Sequence, residues 1–255
     1  MSGSGDDVIL SVDRLNKRFG GFAAVTDVDL KVRRGSIHAL IGPNGAGKTT
    51  CFNLLTKFLQ PTSGTIVFDG RDITRLKPAE IAQLGLVRSF QISAVFPRLT
   101  VLENVRLALQ RRLRGDSFDF WRSDRSLHEL DLEARERIAA VALSDFTDVP
   151  AGELSYGRKR TLEIATTLAL EPQMLLLDEP MAGMAHEDVG RIAALIKSVS
   201  GGRTILMVEH NLSVVAELSD RITVLARGQV LAEGSYDEVS SDPRVIDAYI
   251  GVGHG

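Results

Sequence analysis

The chain has a single cysteine, Cys51, in 255 residues, so no disulfide can form within it and a reducing compartment is the simpler expectation. It has no basic excess. Thirty Lys and Arg stand against 33 Asp and Glu, a formal charge of -3, which leaves no cationic surplus to track a phosphate backbone and argues against a nucleic-acid partner. Long apolar runs are also missing. The longest stretch free of Asp, Glu, Lys and Arg, Ser36 to Gly47, contains glycines, a proline and a histidine, whereas a membrane span needs roughly 18 mostly apolar residues. Any membrane role must therefore come through a partner. The polar, acidic residues 1–7 have neither the basic start nor the apolar block of a secretory signal, and are expected to form a flexible tail. No internal repeat or low-complexity segment is found. With 44% hydrophobic and 25% charged residues the composition is that of a chain that folds.

What is present divides into two kinds of pattern. From Val8 to Val32 apolar and polar residues tend to alternate, most clearly Val28, Leu30 and Val32 between Asp27, Asp29, Lys31 and Arg33. This is the period of half-buried antiparallel strands. Ile37 to Ile41, Met174 to Leu177, Ile205 to Val208 and Ile222 to Leu225 are instead nearly continuous apolar runs, as in parallel strands covered on both faces. Helical patterns fall between them. Pro78 to Gln83 reads as a helix closed at Gly85, and Thr100-Val101-Leu102-Glu103 is a capping box followed by Leu102, Val105 and Leu109 at helical spacing. Arg111 to Arg137 carries seven arginines and seven acids and reads as a solvated helical surface, with Phe118, Phe120 and Trp121 as a small local core or an exposed docking patch. Strands on both sides of this helical middle predict one α/β sheet interrupted by an inserted helical subdomain.

The chemistry starts at Gly42-Pro43-Asn44-Gly45-Ala46-Gly47-Lys48-Thr49, which fits G-x-x-x-x-G-K-[ST] between the apolar run ending at Ile41 and a helix-compatible stretch from Thr50 to Phe58. Glycines permit backbone angles closed to other residues, so successive N–H groups converge on phosphate oxygens at the positive end of a helix. Lys48 adds a cation for the β- and γ-phosphates, and Thr49 offers a hydroxyl to Mg²⁺. Cys51, just inside that helix, reads as a buried filler; the alternative is a thiol activated by the helix dipole. Downstream, Met174 to Glu179 puts two acids at the end of an apolar strand, the edge at which α/β sheets bind ligands. Asp178 suits Mg²⁺, which leaves Glu179 as a base.

Together with Gln91, Leu154-Ser155-Tyr156-Gly157, Asp178-Glu179-Pro180 and His210, in this order and spacing, the phosphate loop makes residues 8–251 resemble the ATP-binding cassette ATPases. The resemblance implies a P-loop nucleotide hydrolase core, an α/β mixed sheet with antiparallel N-terminal strands. Residues 8–91 and 161–251 would form the catalytic core and 92–160 a helical subdomain ending at the signature. It implies that Phe19, with Phe22 as fallback, stacks on adenine, and that Gly42 to Thr50 hold the phosphates of ATP. Thr49, Gln91 and Asp178 would serve Mg²⁺, Glu179 would be the general base, Gln91 would reach the attacking water, and His210 would contact the γ-phosphate. Ser155, Tyr156 and Gly157 would complete the ATP site of a partner protomer in a head-to-tail dimer.

Departures from the family pattern are local. Tyr156 and Arg158 stand where the signature usually has glycine and glutamine, and Ala185 stands where relatives generally carry Asp or Asn in the loop that links the two ATP sites. Lys17-Arg18-Phe19-Gly20-Gly21, the tyrosine-containing signature and residues 242–251 look most like ATPase subunits of branched-chain amino-acid importers. That likeness implies ATP hydrolysis driving a prokaryotic importer from the cytoplasmic face of the plasma membrane. Its partners would be a second ATPase, self or sister, two transmembrane permease subunits and, indirectly, a solute-binding protein. Residues 92–99, with Phe96 and Pro97, would contact the permease. The other readings are a urea or amide importer of the same subfamily and a soluble cassette ATPase acting on ribosomes or DNA.

Overall fold

The computed structural model describes residues 7–89, 95–113 and 124–250 and divides them into two units. The first comprises residues up to Arg88, Gln173–Ala182 and the chain from Ile196 onward. Here the alternating N-terminal segment forms β1 (Val8–Phe19) and β2 (Phe22–Arg33), paired antiparallel as expected, with Leu10, Val12, Leu30 and Val32 buried. β4 (Ser63–Phe68) and β5 (Arg71–Asp72) complete a sheet in the order β2-β1-β4-β5.

The apolar runs become β3 (Ile37–Ile41), β7 (Met174–Asp178), β8 (Thr204–Val208) and β9 (Arg221–Ala226). With β6 (Leu86–Ser89) and β10 (Gln229–Gly234) they form a sheet in the order β10-β9-β3-β8-β7-β6. β3 pairs parallel with β8 and β9, and β7 with β8, while β9 and β10 form an antiparallel hairpin. All of β3, β7 and β8 is buried, the requirement that selects continuous apolar sequence. α1 (Lys48–Leu55) joins the two sheets: Cys51, Phe52, Leu54 and Leu55 share one apolar cluster with Leu10 and Leu30 of the first and Leu40, Leu176 and Leu206 of the second.

α1 differs from the expected Thr50 to Phe58. Residues 48–49 already belong to it, and it ends at Leu55 because the Thr56 hydroxyl donates to Phe52 O at 2.7 Å and Lys57 turns to φ 62°. α2 (Pro78–Gln83) forms as expected, closed by Gly85 at φ 90°. The second unit, Ser89–Pro172 and Gly183–Leu195, is mainly helical in its described residues. In it α3 (Val101–Leu113), α4 (Asp124–Ala140) and α5 (Tyr156–Leu168) bury Val101, Val105, Leu109, Ala134, Ile138, Leu162 and Ala165. The capping box is realised: Glu103 N donates to Thr100 Oγ1 at 3.2 Å and Thr100 N to Glu103 Oε2 at 2.8 Å. α6 (His186–Val199) follows the loop after β7. The first unit ends with α7 (Leu212–Leu218), α8 (Tyr236–Ser240) and α9 (Pro243–Ile250). Gln91, Phe118, Phe120 and Trp121, residues 92–94 of the expected permease-contacting stretch and residues 1–6 of the expected tail lie outside the described residues.

Candidate functional site

β3 delivers the chain into the phosphate loop, and backbone geometry there explains its glycines. Gly42 sits at φ 150°, and a Cβ on it would lie 2.1 Å from Leu225 O. Gly47 caps α1 at φ 100°, where a Cβ would meet Ala24 O at 2.7 Å. A side chain at either position would collide with the backbone of a neighbouring strand, β9 at Leu225 or β2 at Ala24. Lys48 folds back over the loop, its Nζ donating to Gly42 O at 2.7 Å and Pro43 O at 3.0 Å. Burial lowers its pKa, and the nearby Glu179 carboxylate partly offsets this. Thr49, in the first turn of α1, is exposed. Cys51 is fully buried, and burial pushes its thiol up to about 12, which bears out the filler reading over the activated one.

Two other strands end beside this loop in the same unit. Asp178, the last residue of β7, is 3% exposed and its carboxylate accepts from the Arg88 guanidinium. Glu179 is half-buried and takes φ 46°, uncommon for a residue with a side chain, with its N–H donating to Val208 O at 2.9 Å. After β8 comes Glu209, fully buried. Its Oε1 accepts from Met181 N at 3.0 Å, and its Oε2 accepts from His210 N at 3.0 Å and Asn211 N at 3.2 Å. One carboxylate thus ties the loop after Glu179 to the backbone of the exposed His210. Phe19 and Phe22 face each other across the β1–β2 turn, 47% and 67% exposed, with Lys17 Nζ 5.1 Å from the Phe19 ring centroid.

The remaining candidates belong to the second unit. Ser155 caps the backbone start of α5 without a side-chain cap bond, and Tyr156 is 58% exposed. Gly157 is buried against α6, where a Cβ would stand 2.6 Å from the Asp188 carboxylate carbon. Arg158, the unusual signature residue, lays its guanidinium 4.1 Å from the Phe146 ring centroid. Phe96 is 57% exposed, and Asn104 holds its backbone from both sides at 2.7 and 3.1 Å.

The phosphate loop, the Asp178-Glu179 pair and the motif order now meet the comparison with known proteins. A family model described as ABC transporter matches residues 25–182. The chain belongs to the ABC transporter family. A second model, described as Branched-chain amino acid ATP-binding cassette transporter, matches residues 229–255 of the cassette. Its relatives include the high-affinity branched-chain amino acid transport ATP-binding protein BraF of Pseudomonas aeruginosa, 40% identical over 252 residues, 95% of this chain and 98% of the relative. LivG of Escherichia coli K12, with the same description, is 39% identical over 249 residues, 95% of this chain and 98% of the relative. Among solved structures, the ADP conformation of the ATP-binding cassette MJ1267 superposes with a TM-score of 0.84 at 34% identity, covering 96% of this chain and 99% of that one. The cassette is accordingly a nucleotide-binding ATPase of a transporter.

Arg88 and Glu209 are the site-building residues missed in the sequence. Their signal was there: each is a lone charge in, or directly after, a short and mostly apolar strand.

Proposed function

We propose that this chain is the ATP-hydrolysing subunit of a prokaryotic importer of branched-chain amino acids, working at the cytoplasmic face of the membrane on two permease subunits fed by a solute-binding protein. One observation carries the solute class: the match to the branched-chain amino-acid model falls on residues 229–255, beyond the general cassette match. In the first unit this stretch builds β10, α8 and α9, and Val245, Ile246 and Tyr249 of α9 line an apolar cavity of about 240 Å³ with Ile41, the residue before the phosphate loop. No described helix is long and apolar enough to cross a membrane, so force must pass through contacts. The exposed Phe96, clamped by Asn104, supports residues 92–99 as the surface that meets the permease.

The donors present suit Mg²⁺ carried in with the nucleotide. Thr49 supplies a hydroxyl and Asp178 a carboxylate, and Mg²⁺ usually takes one or two carboxylates plus substrate phosphates and waters. Among the described residues no group of three or more His, Cys, Asp and Glu forms a metal cage. When bound, Mg²⁺ withdraws charge from the phosphate oxygens as a Lewis acid. The loop N–H groups and Lys48 hold the β- and γ-phosphates, with Lys48 exchanging its carbonyl partners for phosphate oxygens. Phe19 offers its exposed face to adenine.

Glu179 takes a proton from water as the water oxygen bonds to the γ-phosphorus in line; the bond to the β,γ-bridging oxygen breaks and ADP leaves with the electron pair. His210 donates to the γ-phosphate, and Gln91 orients the water. Ser155, Tyr156 and Gly157 complete the site of a second cassette, so hydrolysis needs a pair. A dimeric structure of the cassette MJ0796 bound to ADP and Pi, with a TM-score of 0.75 at 26% identity, supports this arrangement.

The test is Glu179→Gln, read by phosphate release and by light scattering with Mg-ATP. The expected result is a loss of roughly a hundredfold to ten-thousandfold in turnover together with an ATP-dependent dimer. Retained hydrolysis would sink the base assignment, and a variant that stays monomeric at saturating ATP would replace self-pairing with a sister ATPase. Deleting the gene should abolish uptake of labelled leucine. Loss of urea or amide uptake with leucine uptake intact would overturn the solute class.

A further inference from the structure

Arg88 is a buried cation in a strand that otherwise asks for none. Its neighbours Leu86, Val87 and Ser89 are buried, and its own side chain is 11% exposed. Nη1 donates to Asn53 Oδ1 of α1 at 2.7 Å, and Nη2 donates to the Asp178 carboxylate at the end of β7. The guanidinium carbon lies 5.9 Å from the ring centroids of both Phe52 and Phe58. Its position is therefore fixed by two hydrogen-bonded arms and two aromatic faces. A point charge such as Lys could not make this two-armed contact; the planar fork of Arg can.

The two elements joined by that fork carry two of the donors assigned above to Mg²⁺: Thr49 on α1 and Asp178 on β7. Mg²⁺ demands near-ideal octahedral geometry and tolerates little drift between its ligands. We infer that Arg88 is a positioning residue for the metal-bound nucleotide: by bridging Asn53 to Asp178 it holds the Asp178 carboxylate at a set place relative to the phosphate-loop helix. Arg88 is a tie between walls and touches no reacting atom. The inference rests on the reading that Asp178 serves Mg²⁺.

The experiment measures ATP affinity of the full chain by calorimetry, once with Mg²⁺ and once with EDTA, and takes the ratio as the metal-dependent gain. Removing a partner that orients a metal ligand typically costs about 10–100-fold in metal affinity, so Arg88→Met should lower the ratio by that order while leaving the EDTA affinity at the wild-type value. Arg88→Lys, which keeps charge but not the fork, should fall between. Asn53→Ala, which removes the 2.7 Å acceptor of the other arm and leaves that arm only the Thr56 hydroxyl at 3.5 Å, keeps the Arg88–Asp178 pair and should also lower the ratio, and serves if Arg88→Met does not fold by circular dichroism. An unchanged ratio in Arg88→Met or, should that variant not fold, in Asn53→Ala overturns the inference, as does an equal loss with and without Mg²⁺. Asp178→Asn separates the two layers. If it keeps the wild-type ratio, the metal reading of Asp178 fails and the inference with it; if it loses the ratio while folded Arg88→Met keeps it, only the role of Arg88 falls.

Discussion

His38 should make the stability of this protein fall with acid in a window set by one buried ring. It lies in β3, fully buried, with Nε2 2.8 Å from Thr223 Oγ1. Thr223 Oγ1 in turn donates to Glu233 Oε2 at 3.1 Å, so its lone pairs face the ring and Nε2 carries the proton. Nδ1 is buried with no partner among the described residues, and a second proton there would have no acceptor among them. Burial, partly offset by Glu233, lowers the His38 pKa from 6.5 to about 4. The unfolded chain therefore takes up a proton near pH 6.5 that the folded chain refuses until about pH 4. Stability rises with pH across that window, and nothing further is lost to this group below it. The full shift is worth about 3 kcal/mol, of which roughly 2 kcal/mol is lost between about pH 7 and pH 5. Urea unfolding at a series of pH values, wild type against His38→Gln, reads the slope. Gln keeps a donor for Thr223 and does not titrate, so the difference in slope isolates the ring. A variant with the same slope as wild type over that range would refute the reasoning. Since β3 leads straight into Gly42, loosening it should also weaken nucleotide binding in the same pH range.

Other substitutions test the site piece by piece. Glu209→Ala strips three backbone N–H groups of their acceptor, which should cost about 1–3 kcal/mol or more of stability in denaturant melts and lower kcat more than it changes the KM for ATP. An equal effect on both would make Glu209 a mere packing group. Phe19→Ala should weaken ATP by about 1–3 kcal/mol and leave inorganic triphosphate binding alone; if only Phe22→Ala does this, Phe22 is the adenine platform. Cys51, its thiol held up at about 12 by burial, should ignore an aromatic disulfide reagent in the native protein and react once urea unfolds it. Rapid native labelling would mean that α1 opens far more often than its packing implies.

How far the sequence could be read depended on the distance over which each feature is enforced. The phosphate loop, the Thr100–Glu103 box and the helix from Pro78 were legible because near neighbours determine their backbone angles and caps. The all-buried strands were legible from composition, since burial on both faces admits little but apolar residues. β5, two residues long, left no such mark. The end of α1 was misplaced because a Thr56 hydroxyl bond and a left-handed Lys57 override a sequence that could have continued.

The order of motifs along the chain was enough to place it among the ATP-binding cassettes and to nominate the residues of its site. Which buried polar groups and charges satisfy one another was not readable there. Arg88 finds Asp178 at a separation of 90 residues, Glu209 gathers the N–H of Met181 at 28, and His38 meets Thr223 at 185. A buried charge must find a partner or leave the interior. Which partner it finds depends on which strands the folded sheet sets side by side, and only closure of the chain settles that.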